Sequence, residues 1–155
     1  MLLIFDLDDT LYDCSDQLQE QKLPLNEIKA FLGAKEILNR QDFKKILVSA
    51  GETEFQHQKL AALGLKDCFA EIHICSTNEE KKQCFQKIVQ DHPDPQTFVV
   101  GNRLDSEIRY GKELGLRTIY LKHGKYKDLR AKDNFEIPDY TITELKQVEQ
   151  ILCKQ

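Results

Sequence analysis

Short apolar runs alternate along the chain with segments whose apolar residues recur at helical spacing, and no repeat or low-complexity tract interrupts them. Leu2 to Phe5 predicts a first strand, and an acidic turn follows it. Residues 15 to 25 are polar and irregular, with Pro24 breaking any long helix. Ala34 to Asn39 predicts a helix with Ile37 and Leu38 on its apolar face, and Lys45 to Val48 a second strand. Thr53 to Leu63 fits an amphipathic helix with Phe55, Leu60 and Leu63 inward and Gly64 at its end. Glu71 to Cys75 reads as a third strand. Residues 79 to 91 form the clearest helix, with Cys84, Phe85, Ile88 and Val89 on one side, closed by His92-Pro93-Asp94-Pro95. Thr97 to Val100 is a fourth strand, Ser106 to Leu114 a helix ending at Gly115, and Thr118 to Leu121 a fifth strand. A last helix near Thr143 to Leu152 packs through Leu145, Val148, Ile151 and Leu152. This alternation predicts an α/β fold, a parallel sheet covered by helices on both faces. Ligands of such sheets bind beyond the carboxyl ends of the strands. Asp6, Ser49 and Gly101 all fall at such ends, which makes them one candidate site.

The acidic turn, "FDLDDTLYD", raises the sharpest chemical question. In extended backbone Asp6 and Asp8 point the same way while Leu7 turns toward the core. Two close carboxylates raise each other's pKa unless a cation lies between them. Hard oxygens at this spacing suit Mg2+. In "ILVSAG" an apolar strand delivers the hydroxyl of Ser49, which can hydrogen-bond phosphate oxygens without adding charge. In "STNEEKKQCFQKI" a lysine sits near a helix start, where the helix dipole disfavours it. Lys81 stands four residues before Phe85 and seven before Ile88, so it shares their inward face and needs an anionic partner. Lys82 is the alternative.

Composition narrows the function. The 155 residues suit one domain, residues 1–155, with 41% apolar and 31% charged side chains. A net charge of −4 leaves no basic footprint, so nucleic acid is not an expected partner. No apolar run approaches the ~18 residues of a membrane span, and the N-terminus opens into strand-like sequence without a secretory pattern. The five cysteines show no C-x-x-C pairing and no metal spacing with the four histidines, which points to reduced thiols and a cytoplasmic location.

"DLDDTL" resembles the first motif, DxDx[TV], of the haloacid dehalogenase (HAD) superfamily of phosphotransferases, and the resemblance extends over nearly the whole chain. It implies a three-layer α/β/α sandwich with a Rossmann-like sheet of strand order 5-4-1-2-3. It also implies an Mg2+-dependent phosphatase in which Asp6 is the nucleophile and Asp8 the general acid and base. Ser49 would clamp the phosphate, and Lys81 would neutralise phosphate and nucleophile. The metal ligands would be Asp6, Asp8 and the residue at position 102. There "FVVGNRLDSEI" departs from the family pattern, because Asn102 replaces an aspartate, which implies weaker metal affinity. The second acid of this motif falls on Asp105 or Glu107. Family members often carry an inserted cap, but residues 11–33 and the stretch between Gly51 and Lys81 are too short to hold one. The expected site is therefore open to a phosphorylated small molecule or macromolecule, with Tyr12, Asp13 and the loop after them as specificity elements. Asn102 also keeps in view a binding protein that has lost turnover, and a phosphotransferase or phosphomutase would use the same residues.

Overall fold

A computed structural model describes residues 1–154. Six parallel strands form one sheet: β1 (Leu2–Phe5), β2 (Lys44–Ala50), β3 (Glu71–Cys75), β4 (Thr97–Gly101), β5 (Arg117–Leu121) and β6 (Tyr140–Ile142). Their order across the sheet is β3-β2-β1-β4-β5-β6. The first five follow the expected 5-4-1-2-3 arrangement. β6 adds an edge strand that three residues were too few to announce. β1 pairs with β2 and β4, setting Phe5 beside Leu47 on one side and Val100 on the other. The segment leaving β1 is thus delivered to the middle of the carboxyl edge.

The pleat divides the core in two. Leu3 and Phe5 face one side with Leu47, Phe98, Val100 and Ile119. Against them pack α1 (Ala34–Asn39) through Ile37 and Leu38, α2 (Thr53–Leu63) through Leu60 and Leu63, and α5 (Gln147–Leu152) through Val148 and Leu152. Leu2 and Ile4 face the other side with Ile46, Val48 and Val99. That side is covered by α3 (Asn78–Asp91) through Phe85 and Ile88, and by α4 (Arg109–Glu113) through Tyr110. A strand buried on both faces carries no polar alternation, which explains the uninterrupted "LLIF". Among the described residues no helix is long and apolar enough to cross a membrane, and neither short interval holds an inserted cap.

Several boundaries depart from the pattern reading. The polar stretch after the acidic turn is not wholly irregular, since Ser15–Glu20 forms a π-helical turn. The helix expected from Ser106 begins as a second π-helical turn, Leu104–Ile108, that runs into α4. The last helix is confined to Gln147–Leu152, because β6 and its exit turn occupy the residues before it. Cys84 and Val89 lie half-buried at the flank of the α3 apolar stripe.

The α2 face was misjudged in an informative way. Phe55 is not inward but 41% exposed. The buried positions are Gln56, Lys59, Leu60 and Leu63, a complete i, i+3, i+4, i+7 stripe of which half is polar.

Gly111 marks the closest approach of α4 to the sheet. A Cβ there would lie 2.7 Å from Thr118 Cγ2 and 3.1 Å from Val99 Cγ2. Gly111→Ala is expected to destabilise the fold by about 1–3 kcal/mol in urea denaturation; an unchanged midpoint would contradict this packing.

Candidate active site

Beyond the carboxyl ends of β1, β2 and β4 lies a cleft of about 450 Å3. Asp6, Asp8, Asp9, Lys59, Lys81, Asn102, Arg103 and Glu107 all contribute to its wall. Four of the expected residues, Asp6, Asp8, Lys81 and Asn102, are therefore together. Ser49 lies just behind them, buried, beside the wall residue Ala50.

Lys81 is the centre of the arrangement. It projects from the first turn of α3, which is capped by Thr77 accepting from the Glu80 amide at 3.1 Å. Only 2% exposed, its ammonium donates to Asp6 Oδ1 at 2.7 Å and to Glu107 Oε1 at 2.6 Å. Lys82 points away and pairs with Glu113 at 2.9 Å. Of the two lysines, Lys81 enters the cleft and Lys82 does not. The two acids after Asn102 separate as cleanly. Asp105 is taken by Arg103 in a two-point ion pair, with both distances 3.0 Å, while Glu107 enters the cleft.

Local backbone explains why Glu107 reaches so far in. The π-helical turn widens the path after β4, and Gly101 leaves the space that Glu107 fills. A Cβ at Gly101 would come within 2.6 Å of Glu107 Cβ and Cγ. Glu107 Oε2 accepts from the Arg103 amide at 3.1 Å, and Oε1 from Ser106 Oγ at 3.0 Å. Asp6 Oδ2 accepts from Thr10 Oγ1 at 3.1 Å. Burial raises the Asp6 carboxyl above its usual range, against the pull of Lys81. Burial works against the charge on Lys81 too, but Asp6 and Glu107 outweigh it and hold the ammonium charged.

Asp8 has a separate set of partners, which hydrophobic periodicity could not reveal. Tyr12 OH donates to its Oδ1 at 2.7 Å. Lys59 Nζ reaches both oxygens, at 2.9 and 3.2 Å, and Gln56 Nε2 reaches Oδ2 at 3.1 Å. Burial would raise this carboxyl, but Lys59 and the hydrogen bonds bring it below the usual range. Lys59 and Gln56 were missed because a polar residue within a helical stripe reads as an interruption. The usable signal was their position, one turn apart and in phase with Leu60 and Leu63.

The expected specificity elements shift accordingly. Tyr12 is fully buried behind Asp8, and Asp13 pairs with His123 at 2.8 Å outside the cleft wall. The loop instead supplies Cys14, Leu18 and Gln19. Burial pushes the Cys14 thiol up to about 12, so it lacks the thiolate needed for ready oxidation.

The oxygen donors facing the cleft, from Asp6, Asp8, Glu107 and Asn102, are the hard ligands that Mg2+ takes. Their chemistry fits the metal, with one negative charge fewer than an aspartate at position 102 would give. Asp9, Asp13 and His123 also lie within 4.8 Å of one another. That cluster is internally satisfied, since Asp9 accepts from the Ser15 amide and hydroxyl at 2.8 and 2.5 Å and Asp13 is held by His123.

Comparison with known proteins bears on the fold. Residues 79–148 match the family model described as HAD-hydrolase-like. Solved structures superpose over nearly the whole fold. A HAD hydrolase of Bacillus subtilis bound to magnesium has a TM-score of 0.73 at 19% identity, covering 97% of each chain. A haloacid dehalogenase-like hydrolase of Xanthomonas campestris has 0.75 at 15% identity, covering 99% of this chain and 95% of that one. The chain thus resembles the HAD superfamily in sequence over residues 79–148 and in its fold throughout. Among curated relatives, the glyceraldehyde 3-phosphate phosphatase of Pyrococcus furiosus is 30% identical over 123 residues, which are 76% of this chain and 51% of that protein. The Methanopyrus kandleri enzyme of the same name is 28% identical over 120 residues, 68% of this chain and 47% of its own. The chain spans about half the length of these curated relatives.

Removing the central cation should expose the cost of this cluster. Lys81→Met leaves two buried carboxylates without their ion-pair partner and is expected to lose about 3–5 kcal/mol at neutral pH. The Asp6 carboxyl, already raised by burial, then binds more protons folded than unfolded, so the deficit should narrow as pH falls toward the unfolded value. Lys82→Met, on the surface, should change stability by less than about 0.5 kcal/mol. Equal losses for the two variants in chemical denaturation would contradict the assignment.

Proposed function

We propose that residues 1–155 act as one capless catalytic unit, an Mg2+-dependent phosphatase that hydrolyses a phosphomonoester through an aspartyl-phosphate on Asp6. The observation that carries this reading is the convergence of Asp6, Asp8, Lys81, Asn102 and Glu107 on one cleft in a HAD fold. A carboxylate held 2.7 Å from a buried ammonium is a nucleophile with its charge balance already arranged for a second anion.

In the first half-reaction an Asp6 oxygen bonds to phosphorus as the bond from phosphorus to the leaving oxygen breaks, and Asp8 supplies the proton that oxygen takes up. In the second, water attacks phosphorus, its proton passes to Asp8, and the Asp6–phosphorus bond breaks to release inorganic phosphate. Lys81 offsets charge on the transferring group, and the Ser49 hydroxyl donates to one of its oxygens. Asp6, Asp8 and Asn102 are the ligands proposed for Mg2+, with Glu107 shaping their cluster. The metal supplies Lewis-acid charge neutralisation when bound. The curated relatives are named for glyceraldehyde 3-phosphate, which makes small phosphorylated sugars the first natural substrates to test.

The test is hydrolysis of p-nitrophenyl phosphate across an Mg2+ titration, with Asp6→Asn assayed in parallel. Turnover should require both the metal and Asp6, with half-activation in the millimolar range that Asn102→Asp tightens. Metal-independent turnover, or turnover surviving in Asp6→Asn, would overturn the reading. Micromolar activation of the wild type would refute the role given to Asn102.

A further inference from the structure

Asp8 is held from two sides, and the sides differ. Gln56 Nε2 lies 3.1 Å from Asp8 Oδ2, 2.7 Å from Ser49 Oγ and 3.1 Å from the Ala50 carbonyl oxygen. A carboxylate and a carbonyl can only accept, so the amide nitrogen must be on that side of Gln56. An amide nitrogen offers no lone pair, so Ser49 Oγ accepts from it and keeps its own proton to donate. Among the described residues Ser49 Oγ donates to no protein acceptor, which leaves that proton for a phosphate oxygen. Tyr12 OH, fully buried, completes the grip on Oδ1. Neither Gln56 nor Tyr12 contributes to the cleft wall. Both act from behind.

Lys59 is the exception. Its ammonium spans both Asp8 oxygens and also forms part of the cleft wall, beside Phe55, whose ring centroid lies 4.7 Å from Nζ. Together the three side chains place two donors on each Asp8 oxygen, so Asp8 can take up a proton only where one of them gives way, and Lys59, the donor on the cleft side, is the one able to do so. Any oxygen that exchanges a proton with Asp8 must come from the cleft, the side on which Lys59 sits.

We infer that Lys59 is a further catalytic residue: its ammonium meets the leaving oxygen of the phosphoester as that oxygen reaches Asp8, while Gln56 and Tyr12 are positioning residues. This rests on the phosphatase reading above. As the bond to phosphorus breaks, negative charge grows on the leaving oxygen, and a hydrogen bond from Lys59 Nζ stabilises it while the Asp8 proton moves across. No proton is lost from Lys59, and the ammonium returns to Asp8 when the alcohol departs. Phe55 and Leu18 supply an apolar wall for the carbon skeleton of that alcohol.

A donor to the leaving oxygen matters most where the leaving group is poor. Wild type, Lys59→Met, Lys59→Arg and Asp6→Asn are compared on p-nitrophenyl phosphate and glycerol phosphate, with melting temperatures and inorganic phosphate affinity recorded for each. Lys59→Met should lose at least about tenfold more kcat/KM on the glycerol ester than on the aryl ester. Its phosphate affinity should be unchanged, and Lys59→Arg should recover part of the loss. An equal loss on both esters, or a loss matched by weaker phosphate binding, would overturn the assignment while leaving the phosphatase reading intact. Should Lys59→Met fail to fold, the same comparison is made with the neutral Lys59→Gln, and an unchanged ratio between the esters overturns the assignment. Wild type without Asp6-dependent turnover removes the reading and the assignment together.

Discussion

Three charges meet where the sheet, α3 and the turn after β4 converge: the Lys81 ammonium between the carboxylates of Asp6 and Glu107, at 2.7 and 2.6 Å. None of the three is tolerable there alone, because a buried ion without a partner is strongly destabilising. Their mutual dependence ties together elements far apart in sequence. It requires a strand that ends at Asp6, a helix whose first turn carries an inward lysine, and a glycine at 101 that leaves room for Glu107. The cluster carries one positive and two negative charges, so it has the electrostatic appetite for a further cation. The proposed chemistry exploits that imbalance.

Around this triad the remaining groups divide the work by direction. Thr10, Ser106 and the Arg103 amide hold the acids from below. α2 holds Asp8 from the side by lending half of its buried face to polar groups. A helix that spends two of four inward positions on Gln56 and Lys59 gives up apolar burial, and what it gains is a fixed orientation for one carboxylate. The absence of an inserted cap among the described residues leaves the loop residues Cys14, Leu18 and Gln19, with Phe55, to meet the organic part of a substrate.

Much of this was legible in the sequence, and the exceptions share a cause. Strands β1 to β5 and helices α1 to α3 followed from apolar spacing because each presents several consecutive turns or pairs to a core. β6 did not, since three residues carry too little periodic signal, and it is β6 with its exit turn that moves the start of the expected last helix from Thr143 to Gln147. Lys81 was preferred over Lys82 from its phase with Phe85 and Ile88, and the packing agrees. Asp105 and Glu107 could not be separated, because a π-helical turn changes the phase of every residue after it and leaves no trace in composition. Phe55 was misplaced for the opposite reason: its hydrophobicity outweighed the polar residues that take the inward positions on α2.

The central claim is that phosphorus passes through a covalent bond to Asp6. It is tested most directly by acid-quenching the protein during turnover of a phosphoester with Mg2+ present, then mapping phosphorylated peptides by mass spectrometry. The account predicts one acid-stable, base-labile phosphoryl group on the peptide carrying Asp6, absent from Asp6→Asn. Turnover with no phosphorylated peptide, or with the group on another residue, would contradict it.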